Sequence, residues 1–91
     1  MNKQRRTILS KKVAELETLK SELESIKEDI EGVHDEEEDA FDSMPESLQE
    51  SERGDTMEEN IDSLDDAYSN LDDIISNIDD VIDTLNEVIE R

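Results

Sequence analysis

From Met57 onward the chain repeats itself every seven residues: Met57-Glu58-Glu59, Leu64-Asp65-Asp66, Leu71-Asp72-Asp73, Ile78-Asp79-Asp80 and Leu85-Asn86-Glu87 stand in one register. An apolar residue that returns at seven, with others three or four residues on, draws one stripe along an α-helix. The repeat therefore excludes a β-strand reading and commits this half of the chain to a helix. With Met57 lettered a, the d positions are Asn60, Ala67, Ile74, Val81 and Val88, and the e positions are Ile61, Tyr68, Ile75, Ile82 and Ile89. Three apolar positions per heptad suit a helix inside a bundle better than a two-stranded seam.

The first half keeps the same beat with a narrower stripe. Leu9, Leu16, Leu23 and Ile30 fall at a, and Leu19, Ile26 and Val33 at d, the pattern of a coiled-coil seam. Glu15, Lys20, Glu24, Lys27 and Glu28 alternate in sign on its flanks and read as a solvated surface. Residues 1–12 read as a basic lead-in with Thr7 or Ser10 as cap, followed by a helix over 13–40. The connector, 41–55, holds Pro45 and Gly54. Within it Ser43-x-x-Glu46 resembles a capping box opening one helical turn, and Phe41, Met44 and Leu48 are placed to close the end of the bundle. Gly54 reads as a stop, and Thr56-x-x-Glu59 as a second capping box that starts a helix over 56–90. The expected fold is one all-α domain spanning 1–91, an antiparallel helical hairpin. The e row would stay exposed in a lone hairpin. Two copies are therefore expected to pair as a four-helix bundle, a homodimer with Ile61, Tyr68, Ile75, Ile82 and Ile89 at its interface.

Charge bounds the partners. The net charge of −20 resides wholly in residues 35–91, because residues 1–34 carry seven bases and seven acids. Such a chain repels nucleic acid and anionic membrane and attracts basic proteins. No apolar run exceeds two residues, so no membrane span is expected. With no cysteine, disulfides and thiolate chemistry are excluded, and the reading expects a cytoplasmic protein without signal peptide or sorting tail. Phe41 and Tyr68 are the two aromatics, too few for base stacking. So many charges and so few large apolar side chains leave the monomer marginally stable.

The acids of the second half are placed by rule. Nine of its ten b and c positions from Glu58 to Glu87 are carboxylates, Asn86 being the exception, and Asp62, Asp83 and Glu90 add f positions. Twelve carboxylates over about 50 Å of helix give one charge per roughly 4 Å, close to the 3.4 Å per charge of one DNA strand. Glutamate has the better helix propensity, yet the three central heptads use aspartate alone, at a cost of about a few tenths of a kcal/mol each. Aspartate holds its charge on a short arm and loses less side-chain entropy on binding. A solvated face is the ordinary reading of acids on a coiled coil, and the absence of any base from residues 54–90 weighs against it. The expected binding residues are Glu58, Glu59, Asp62, Asp65, Asp66, Asp72, Asp73, Asp79, Asp80 and Asp83, presented to a basic nucleic-acid-binding protein such as a nuclease or CRISPR effector.

Other chemistry is less well supported by the residues. Calcium loops need oxygens converging from an irregular, glycine-containing segment, and none is present, so no metal or cofactor is expected. Glu28-x-x-Glu31 with Glu59-x-x-Asp62 is similar to the magnesium motif of all-α nucleotide pyrophosphohydrolases. All four residues face away from the expected seam, and 16 glutamates in 91 residues make chance matches common, so the chain is not expected to be an enzyme. His34 reads as a surface residue, Tyr68 as core with a wet hydroxyl, and Lys3-Gln4-Arg5-Arg6 as a basic start lying beside acidic helix. The connector from Ala40 to Gly54 (AFDSMPESLQESERG) and the I-D-x-L-D-x-A heptads that follow it resemble a family of small acidic accessory proteins of phages and mobile elements of Gram-positive bacteria. The likeness covers roughly residues 37–90. It implies phage origin, action in the host cytoplasm and an accessory role such as blocking host defence, and it assigns no functional residue.

Overall fold

A computed structural model describes residues 1–91 as α1 (Lys3–Asp42), α2 (Glu46–Gln49) and α3 (Glu52–Glu90). The two long helices pack side by side as an antiparallel hairpin, a rod of 68 × 15 × 14 Å. No helix is long and apolar enough to cross a membrane. The accessible surface is 6569 Å², against ~5,400 Å² for a compact protein of this mass. Val13, Ile75 and Ile82 are its only buried large side chains.

The helix ends differ from the sequence expectation. α1 starts at Lys3, where the Asn2 side chain accepts from Arg5 N at 2.8 Å, so the basic lead-in is helical throughout. Thr7 is no cap, since its hydroxyl donates back to Lys3 O inside the helix. α1 ends at Asp42 because Pro45 disfavours helical backbone at Met44. The single turn of α2 is opened by Pro45 with no side-chain cap, so the Ser43 capping box is not made. Gln49 Nε2 donates to Phe41 O at 2.9 Å and ties that turn to the end of α1. Phe41 and Met44 are half-buried there, while Leu48 stays exposed.

α3 begins at Glu52 with Ser51 as cap, its Oγ accepting from Gly54 N, and Glu52 and Asp55 in the first turn suit the helix dipole. Gly54 is therefore no stop. It lies inside the first turn of α3, where a Cβ would fall 2.0 Å from Gln49 O. Close passage of α2 under α3 is what this glycine permits.

The seam is built from rows a and e rather than a and d. On α3, Ile75 and Ile82 are 7 % exposed and Ile61, Tyr68 and Ile89 are half-buried, so the e row is packed inside the hairpin and is not an outer dimer face. On α1 the partner row is Val13, Lys20, Lys27, His34 and Phe41, all buried or half-buried. The d residues Leu19, Ile26, Val33, Ile74 and Val81 are instead 44–54 % exposed. A stripe three positions wide can form a seam with either pair of rows. The cations of α1 decide between them, because only the a/e seam sets Lys20, Lys27 and His34 beside the acidic b row of α3.

Candidate functional site

Three cross-links join the helices in heptad register. Lys20 Nζ lies 2.7 Å from Asp79, Lys27 Nζ 2.7 Å from Asp72, and His34 Nε2 3.2 Å from Asp65. Each step of seven up α1 is a step of seven down α3, which fixes the antiparallel register. The lysine and histidine stems lie in the seam while the aspartates remain largely exposed. The lysines therefore belong to the hairpin joint and not to a solvated flank. Lys27 Nζ also sits 4.9 Å from the centre of the Tyr68 ring, a cation–π contact that holds the stem down. Hydrogen bonds to Asp79 and Asp72 respectively, with the coulombic pull of the same carboxylates, raise the lysine pKa values above the ordinary range.

His34 is not a free surface residue, for its side chain is 15 % exposed. Its Nδ1 lies 3.1 Å from Asp35 and 3.7 Å from Glu38, and its Nε2 faces Asp65. The bond to Asp35, then the charges of Asp65 and Glu38, raise its pKa above 6.5 and favour the imidazolium. His34, Asp35 and Glu38 are close enough to hold a cation between them. A metal there would have to displace the proton that the raised pKa favours.

These contacts divide the ten acids expected to bind a partner. Asp65, Asp72 and Asp79 are engaged in the ladder. Asp66, Asp73 and Asp80, with Glu59, form an exposed c row that makes no ion pair, and Asp62 and Asp83 lie exposed at f. Glu58 borders a shallow hollow with Phe41, Ile61 and Asp62 at the connector end. Sequence reasoning missed a second row of acids along the ladder edge, contributed by α1. There Glu24 lies 4.0 Å from Lys20, Glu38 reaches His34, and Glu31 shares a cavity of about 150 Å³ with His34 and Asp65. Their shared seven-residue spacing is the signal in the sequence, and it gains meaning only with the seam at a/e, which brings the b rows of both helices to one edge.

The edge is thus a line of half-buried cations between two rows of carboxylates, backed on α3 by uncompensated aspartates at c. Chemically it is an anionic surface of fixed pitch. Comparison with protein-family models, curated proteins and solved structures returns no match.

Proposed function

We propose that the protein is a nucleic-acid mimic, a non-enzymatic inhibitor whose acidic face occupies the basic DNA- or RNA-binding surface of a partner such as a restriction nuclease or CRISPR effector. The observation that carries this reading is the free c row. Asp66, Asp73 and Asp80 recur about every 10.5 Å along one side of a stiff rod, exposed and without a cationic partner. Two copies pairing as a four-helix bundle would present two such arrays. The resemblance of the connector to acidic phage accessory proteins fits an anti-defence role in the host cytoplasm.

The test is inhibition of DNA cleavage by purified nucleases of these classes. Wild-type protein inhibits, and D66N/D73N/D80N keeps its helicity and loses inhibition. Retained inhibition by this variant rejects the reading. The ladder aspartates are left intact because neutralising them would loosen the hairpin. A second reading, an adaptor that binds a partner helix, draws on the exposed d row. It predicts the reverse, with binding lost on Ile74→Glu and kept in D66N/D73N/D80N.

A further inference from the structure

Between Thr56 and Glu90 the acids of α3 occupy b, c and f alone. Position g holds Thr56, Ser63, Asn70, Asn77 and Thr84, all exposed, beside the d row of Ala67, Ile74 and Val81. Two neighbouring rows without charge run the length of a helix that carries twelve acids over the same span. Solvation does not ask for such a face on a chain of net charge −20. On the same flank of the hairpin, opposite the ladder, α1 exposes Leu19, Ile26 and Val33 at 44, 48 and 54 %. The ladder register sets Leu19 level with Val81, Ile26 with Ile74 and Val33 with the half-buried Ala67, giving two apolar layers open to solvent on both helices and a third open at Val33.

We infer that this d/g face is covered by a second copy of the chain, related by a two-fold axis along the rod. The inference deepens the pairing proposed above and is independent of what the acidic rows bind. The full side of the rod, 68 × 15 Å or about 1,000 Å², is the upper bound on what this face can bury, of the same order as the ~800 Å² per partner of a standard interface. Charge selects the arrangement. The g row of α1 is Glu15, Glu22, Asp29 and Glu36. With the axis along the rod, α1 lies beside the partner's α3, and those carboxylates meet Thr84, Asn77, Asn70 and Ser63, neutral donors at matching height. Antiparallel rods would set the acidic row of α1 against itself.

Sedimentation equilibrium of the full chain is the test. It should give about twice the 10.4 kDa chain mass, with association strengthening as salt screens the repulsion between copies. Binding of the acidic rows to a basic partner weakens with salt, so failure of one idea is separable from failure of the other. Ile26→Glu and Ile74→Glu should give the monomer mass. N70D/N77D, a change at exposed positions that leaves the hairpin folded, should weaken association roughly tenfold by setting like charges face to face. D73N should leave the mass unchanged. Spin labels at Ser47 should lie closer across the dimer than half the 68 Å rod. A monomer at every salt concentration, an N70D/N77D protein that associates like wild type, or labels near opposite ends of the rod would overturn the inference. So would a mass doubled only when a foreign helical peptide is added.

Discussion

His34 shows how one side chain converts position into pH dependence. Its pKa is raised by Asp35, Asp65 and Glu38, so its bridge between the helices is fully formed below the unfolded value of 6.5 and is lost as pH rises through the folded value. Thermal melts followed by circular dichroism should show Tm falling across that window in wild type. His34→Gln should remove that part of the slope. An equal slope in both proteins would place the bridge outside the folding equilibrium. The two glycines make a second contrast. Nothing lies within 4 Å of a Cβ built on Gly32, so Gly32→Ala should stabilise by about 0.5–1 kcal/mol. Gly54→Ala gains the same propensity but drives a methyl into Gln49 O, and should cost about 1–3 kcal/mol net. Opposite shifts in Tm are the expected result.

At the scale of the helices, the a row, the helical period and the position of the connector were legible in the sequence. The choice between d and e as the second seam row was not. Ile74 and Ile75 are equally apolar, and local pattern gives no reason to bury one over the other. The decision rests on Lys20 and Lys27, read as solvated because their partners, Asp79 and Asp72, lie more than forty residues away. Gly54 was misread for a related reason: its meaning is a contact with Gln49, and sequence spacing does not reveal contacts. Charge reversal tests the ladder. K20E/K27E sets glutamates against Asp79 and Asp72 and should lower helicity and Tm, and adding D72K/D79K should restore both. Failure of the second pair to rescue the first would show that the ladder does not set the register. The rescued protein keeps Asp66, Asp73 and Asp80, so it should also inhibit like wild type.

The whole molecule is a thin rod in which 29 acids face 9 bases. Charge is arranged by length as well as by face. α1 has no acid in its first turn and no base in its last, the reverse of what its own dipole favours. The ladder register sets Lys12 level with Glu87, so Lys3, Arg5 and Arg6 run past the end of α3 instead of lying beside its last acids, where the sequence leads one to expect them. Self-repulsion should leave Tm low in dilute buffer and raise it as salt is added, whereas partner binding should move the other way. The most direct measurement is displacement of duplex DNA from a DNA-gripping nuclease, read by fluorescence anisotropy across a salt series. Wild-type protein should displace the duplex with an affinity that falls steeply as salt rises, and D66N/D73N/D80N should fail to displace it while remaining helical. Displacement that is insensitive to salt, or equal in the two proteins, would contradict mimicry of the phosphate backbone.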